Sequence, residues 1–149
     1  MTQALDGISF QPLDSSFLVA MRQAWGEKAG RHLHFQDGIT IAAIFSGGPI
    51  GLISAYTRIL PPPLTGLHES YIDFLELEHT FGRRGIAARL VEMVPEHARS
   101  LGHYQVRSWS SDDKVEAIPM WRHPGFGLNP AVTHPQGKGA RGYFVTKLV

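Results

Sequence analysis

Residues 71–101, YIDFLELEHTFGRRGIAARLVEMVPEHARSL, constrain the architecture more than any other stretch. The segment YIDFLEL, 71–77, has the composition of a strand. A turn holding Gly82 and Gly85 follows at once. A helix comes next, with Ile86, Leu90, Val94, Ala98 and Leu101 on one face and Gly102 as its C-terminal cap. Pro95 inside it predicts one lost backbone bond and a kink. The helix opens on Arg83, Arg84 and Gly85, with no acid in its first turn. A helix N-terminus has unpaired N–H groups and partial positive charge, and it normally recruits an acid or a hydroxyl. Gly85, Ala87 and Ala88 leave the backbone open to close approach, and two arginines add positive charge. An anion, most naturally a phosphate, fits such a helix start. The alternative is a solvated start whose arginines pair with surface acids. Neither the GxxxxGK[ST] spacing nor GxGxxG is present, so a P-loop and a Rossmann site lack support.

The remaining chain predicts a mixed α/β pattern. Residues 8–12 form a first strand. Asp14 and Ser15 offer caps for a helix carrying Phe17, Leu18, Met21 and Trp25 at helical spacing and closing at Gly30. Strands 39–46 and 50–59, joined by Gly47-Gly48-Pro49, make a hairpin. The run 60–70, with three consecutive prolines, predicts a stiff exposed loop. Strand 104–109, a short helix over 113–122 and a final strand 142–148 follow. The intervening GFGLNPAVTHPQGKGAR predicts mostly loop.

At 149 residues, 43% apolar and 18% charged, the chain is expected to form one soluble domain. A net charge of +1 argues against a nucleic-acid or anionic-membrane surface. The absence of cysteine removes disulfides, thiolate metal sites and cysteine nucleophiles. It also fits a cytoplasmic location. MTQALDGISF lacks a basic n-region and a long apolar run, so no signal peptide is expected. No stretch reaches the roughly 20 apolar residues of a spanning helix. His32 and His34 alternate on a strand or loop, but no Glu/His constellation with zinc spacing completes a metal site. RHLH, 31–34, is expected to line the substrate side or lie on the surface.

Two stretches carry a family resemblance. In YIDFLELEHTFGRRGIAARLVEM, the segment Gly82–Ala87 resembles the [Q/R]-x-x-G-x-[G/A] motif of the GCN5-related N-acetyltransferases (GNAT). It matches at Gly85 and Ala87, with Gly82 at the first position. DKVEAIPMWRHPGFGL, 113–128, is similar to the family's N-x-x-A-x-x-x-Y-x-x-x-G-F segment. Ala117, Gly125 and Phe126 match, while Lys114 replaces Asn and Trp121 replaces Tyr. The resemblance covers nearly the whole chain. It implies a central mixed, mostly antiparallel sheet, flanked by helices, whose parallel pair, 71–77 and 104–109, splays apart at an acetyl-CoA site. The implied cofactor contacts are the amides of Arg83, Arg84, Gly85, Ile86, Ala87 and Ala88 at the pyrophosphate. Asp113 and Trp121 would add further contacts. The backbone of Leu77 and Glu78 would pair with the pantetheine arm, and an amide near Leu77 would point at the thioester oxygen.

The implied reaction is direct acetyl transfer to a primary amine of a small molecule or peptide. The amine must first lose a proton, and a carboxylate is the usual base. Alternation puts Tyr71, Asp73, Leu75 and Leu77 on one face of the strand and Ile72, Phe74, Glu76 and Glu78 on the other. A local bulge would shift this after residue 75. Asp73 is the first candidate base and Glu76 the second, with Glu69, ahead of the strand, a weaker one. For each of these acids the alternative is a carboxylate that is merely solvated or paired within the fold. Trp121 cannot protonate the departing thiolate as a tyrosine does, and Tyr104, Tyr143 and His123 are alternative donors. Trp25, Phe35 and Tyr56 are candidates to line the acceptor site. The resemblance leaves open a homodimer exchanging its C-terminal strand, and a non-catalytic acyl-CoA-binding sensor of the same fold.

Overall fold

A computed structural model describes residues 5–82, 85–115, 117–132 and 139–149. Seven strands form one sheet in the order β1-β2-β3-β4-β5-β7-β6. The strands are β1 (Ile8–Leu13), β2 (Gly38–Phe45), β3 (Gly48–Ile59), β4 (His68–Leu77), β5 (Gln105–Ser111), β6 (Gly127–Val132) and β7 (Arg141–Leu148). All neighbours are antiparallel except β4 and β5, which run parallel. α1 (Leu18–Trp25) and α2 (Glu27–His32) cover one face; α3 (Ile86–Ser100) and α4 (Ala117–Arg122) cover the other.

The α3 face holds the larger core. Ile86, Leu90, Val91, Val94 and Ala98 are fully buried against Ile41, Ile53, Ile72, Val106 and Val145. Each of the large aliphatic side chains contributes about 1.5–3 kcal/mol by leaving water. α3 runs uninterrupted through Pro95, whose ring is buried. Leu101 lies beyond the helix end and is 52% exposed, so it does not belong to the buried face. The opposite face packs Met21, Ala29 and Leu33 on Leu13, Ala42, Leu52 and Phe74.

Four expectations are corrected. The first helical region is two helices, because Gly26 adopts φ 89°, ψ −179° and ends α1 at Trp25; Gly30 lies inside α2. β4 starts at His68, so the proline loop ends at Leu67 and Glu69 lies within the strand. The fourth helix starts at Ala117 rather than 113. Residues 127–132 are a strand, not loop. β6 tolerates Pro130 because it is the sheet's edge and pairs only with β7.

β4 carries the feature that shapes the site. Ser54 faces Phe74, but the next β3 residue, Ala55, faces Ile72, which makes Asp73 the extra residue of a bulge. The bulge therefore falls at residue 73, not after 75. It puts Ile72, Leu75 and Leu77 on the α3 side and Phe74 on the α1–α2 side. Asp73 and Glu76 both bond to the α2 segment, so the expected grouping of Asp73 with Leu75 and Leu77 is overturned. A bulge bends and overtwists its strand. β4 pairs with β5 over Glu69, Ser70 and Tyr71 only, and Ser108 Oγ donates to Ile72 O at 2.8 Å as the last link. Beyond that point the strands part.

Candidate active site

The parting strands leave a cleft of about 910 Å³ between β4, β5, the start of α3 and α4. Among the expected site residues, Asp73, Glu76, Leu77, Gly85, Ile86, Ala87, Ala88, Asp113 and Trp121 line it. Arg83 and Arg84 lie outside the described residues. Glu78 does not line the cleft, and its backbone is committed elsewhere. Its N–H donates to Ile50 O at 2.8 Å, and its C=O accepts from Phe81 N at 2.9 Å. The expected pantetheine pairing through Glu78 is therefore withdrawn. Neighbouring N–H groups of an antiparallel strand point to opposite sides. With Glu78 turned toward β3, the Leu77 N–H points away from β3, to the side where the cleft opens.

The start of α3 is open and uncapped. Gly85 caps it at φ 81°, ψ 5°, a left-handed conformation that glycine adopts at no steric cost. A Cβ placed there would meet no atom within 4 Å, so the turn faces open space. No side chain caps the helix and no acid stands in its first turn. The first intrahelical bond is Arg89 N to Gly85 O at 3.0 Å, so the N–H groups of Ile86, Ala87 and Ala88 have no helical partner. Two indole N–H groups in the cleft wall, Trp109 Nε1 and Trp121 Nε1, are buried and have no partner among the described residues. Unmet donors in a mainly apolar cleft suit a long ligand with phosphate and amide groups, which is the chemistry of coenzyme A. Trp121 packs edge-on against Phe126, 5.2 Å between centroids.

The acids differ sharply. Glu69 is 1% exposed. Arg58 reaches it at 2.6 Å, Arg107 at 3.2 Å and Gln105 at 2.8 Å, which removes it as a base. Glu76 is half-exposed and pairs with Lys28 at 3.5 Å. Asp73 Oδ2 takes His34 Nε2 at 2.8 Å and His32 Nδ1 at 3.1 Å. These histidines close α2 and its following turn, not a strand. Tyr71 also lines the cleft, and burial pushes its hydroxyl above the usual range, with the Arg58 charge pulling the other way. Tyr104, Tyr143 and His123, the alternative acids for the thiolate, do not line the cleft. Trp25 and Phe35 pack on the α1–α2 core, while Tyr56 stacks on His34. Sequence reasoning missed Lys28, Trp109 and Ser110, whose place in the wall depends on the strand pairing. No group of three or more His, Asp or Glu side chains among the described residues is arranged to hold a metal.

Residues 9–126 match the family described as the acetyltransferase (GNAT) family. The chain belongs to that family. It matches no curated protein sequence. Among solved structures, it superposes on Arabidopsis thaliana NAA60 in complex with acetyl-CoA with a TM-score of 0.78 at 18% identity. That alignment covers 95% of this chain and 99% of the other. NAA60 bound to a bisubstrate analogue gives 0.77 at the same identity and coverage. A GNAT family acetyltransferase from Elizabethkingia anophelis with acetyl-CoA bound gives 0.67 at 15% identity, covering 97% of this chain and 99% of that one. At these identities the likeness is one of fold.

Proposed function

We propose that this GNAT domain transfers an acetyl group from acetyl-CoA directly to a primary amine of a small molecule or peptide. The observation that carries the reading is the cleft itself. Two parallel strands part beside a helix start with open, uncapped N–H groups, and two carboxylates of β4, Asp73 and Glu76, line the same cleft. The acetyl-CoA complexes of the structural neighbours support it.

When bound, acetyl-CoA supplies an acyl group on a thioester, with a thiol of pKa near 8.5 as leaving group. The amides of Ile86, Ala87 and Ala88, reinforced by the positive end of α3, hold the pyrophosphate. Arg83 and Arg84, which immediately precede Gly85 in the sequence, carry positive charge. The Leu77 N–H, which points away from β3, would be the hydrogen-bond donor for the thioester oxygen of bound acetyl-CoA. Asp73 and Glu76 draw a cationic amine to the cleft. Trp121 does not act as an acid; its indole N–H serves only as a hydrogen-bond donor.

A thermal shift with acetyl-CoA, CoA and dephospho-CoA, repeated on Gly85→Asp, tests the binding half. Stabilisation of the wild type that the variant loses supports the helix-start site. No stabilisation at high ligand concentration overturns the cofactor assignment. The replacement of the family tyrosine by Trp121 favours a second reading, a non-catalytic acyl-CoA sensor. That reading predicts the same stabilisation with no turnover of any amine.

A further inference from the structure

α2 lies along the bulged part of β4 and faces it with Lys28 and His32, one turn apart on the same helix face. Lys28 meets Glu76 and His32 meets Asp73. Asp73 Oδ2 takes a second imidazole, His34 Nε2. The other nitrogen of His34, Nδ1, stands 3.1 and 3.3 Å from the two carboxylate oxygens of Asp37. Residue 34 is itself locked in place. Its N–H donates to Ser54 Oγ at 2.8 Å, its C=O accepts from Thr40 Oγ1 at 2.6 Å, and its ring stacks on Tyr56 at 4.5 Å. Thr40 and Ser54 are fully buried and bonded to each other at 2.9 Å.

A carboxylate only accepts hydrogen bonds. Each ring nitrogen on Asp73 Oδ2 must therefore carry a hydrogen. For His32 this fixes the Nδ1–H tautomer and leaves Nε2 as a lone pair on a ring 40% exposed. His34 faces a carboxylate at both nitrogens, Asp73 at Nε2 and Asp37 at Nδ1. Other charged or titratable groups around the array include Tyr56, Tyr71 with its ring 5.8 Å from that of Tyr56, Arg58 at 3.9 Å from the Tyr71 ring, and the Lys28–Glu76 pair. The arrangement is one imidazole oriented by a carboxylate, which is in turn anchored by a second, buried-side imidazole.

We propose that His32 is the base that deprotonates the acceptor amine, with Asp73 and His34 as its positioning residues; this rests on the acetyl-transfer reading above. The His32 ring does not itself line the cleft, which Lys28 and Asp73 beside it do, so the ammonium gives one proton to His32 Nε2 through a bridging water, and the N–H electron pair stays on nitrogen. The imidazolium charge is offset by Asp73. The freed amine forms the C–N bond, the C–S bond breaks, and the thiolate leaves with its electron pair. The surplus proton on the new amide nitrogen passes to the thiolate, and His32 returns its own to solvent. Near neutral pH an imidazole is better matched to an amine than a carboxylate is.

The test uses the full chain, acetyl-CoA and a panel of primary amines comprising N-terminally free peptides, polyamines and amino acids. Rates are followed across the neutral pH range for wild type, His32→Gln, Asp73→Asn and His34→Gln. Ring tautomers are read by long-range ¹⁵N–¹H spectra. The expected wild-type kcat/KM has a single-proton acidic limb. His32→Gln removes that limb and lowers kcat by about 10²–10⁴-fold, with KM for acetyl-CoA held. Asp73→Asn lowers kcat and shifts the His32 ring away from the Nδ1–H form. A His32→Gln enzyme with wild-type kcat and an intact limb overturns the proposal, as does an Nε2–H tautomer in the wild type. Acetyl-CoA binding without wild-type turnover of any amine instead overturns the transfer reading beneath it.

Discussion

Glu69 and Asp73 stand four residues apart on β4, at the two ends of its partnership with β5. Glu69 sits where the strands are hydrogen-bonded, fully buried, with two guanidinium groups and an amide on its oxygens. Asp73 sits at the bulge where the strands part, partly open, with two imidazoles on a single oxygen. Arginine stays protonated and fixes its partner as a permanent anion, so the first carboxylate staples the closed end. Imidazoles exchange protons near neutrality, so the second can take part in chemistry at the open end. On the proposal above, the same functional group staples the fold or positions a base according to what stands opposite it.

The largest expected effect separates the two ends by stability. Glu69→Ala should destabilise the fold by about 3 kcal/mol, the lower end for a broken buried pair, because Arg58 and Arg107 can still reach water. Asp73→Asn should cost less than about 1 kcal/mol. Chemical denaturation of the two variants checks this, and equal losses would erase the contrast.

Next, Gly85→Asp should weaken acetyl-CoA binding by on the order of 10²-fold, since it strains the left-handed turn and puts a negative charge at the phosphate site. Gly85→Ala supplies the strain alone and should lose less than about tenfold. Calorimetric titration separates the two terms.

A smaller effect concerns the exposed Lys28–Glu76 pair. Lys28→Ala should change stability by less than about 1 kcal/mol. It should also lower KM for a cationic acceptor by a few-fold, because Glu76 is freed and a like charge removed. Steady-state kinetics with a neutral and a cationic acceptor reads the difference.

The smallest effect lies at the closed end. Burial pushes the His97 imidazole down, and burial followed by the His68 and His97 charges does the same for His103, whose Nδ1 meets Ser70 Oγ at 2.8 Å. With folded values below unfolded ones, the unfolded chain binds more protons as pH falls. Stability should therefore be unaffected well above about pH 6.5 and decline as pH drops below it. Thermal melts of wild type and His103→Gln check this, with a shallower acid decline expected in the variant.

The legible and illegible parts of the molecule differ for a physical reason. α3 and its glycine turn could be read because Ile86, Leu90, Val94 and Ala98 repeat at helical spacing and all are buried. The open start of α3 could be read from the missing acid and the small residues. α2 was missed because it has six residues with Gly30 among them, and its stop is a conformation of Gly26 rather than a composition. β6 was missed because Gly127 and Pro130 signal loop except on an edge strand. The bulge was misplaced because it is set by pairing between β3 and β4, where Ser54 also binds His34 from 20 residues away. For the same reason Asp73 could be named as a candidate base and His32 and His34 assigned to the substrate side or surface, while the contacts between them could not be read.

The central claim is that the open end of the β4–β5 pair passes an acetyl group to an amine. The most direct measurement incubates the protein with acetyl-CoA and the amine panel, and counts thiol released and acetylated amine formed by mass spectrometry in the same sample. The account predicts one acetylated amine per thiol, catalytic in protein and lost in Gly85→Asp. Firm acetyl-CoA binding with no amine product, or thiol release without acetylated amine, would contradict it.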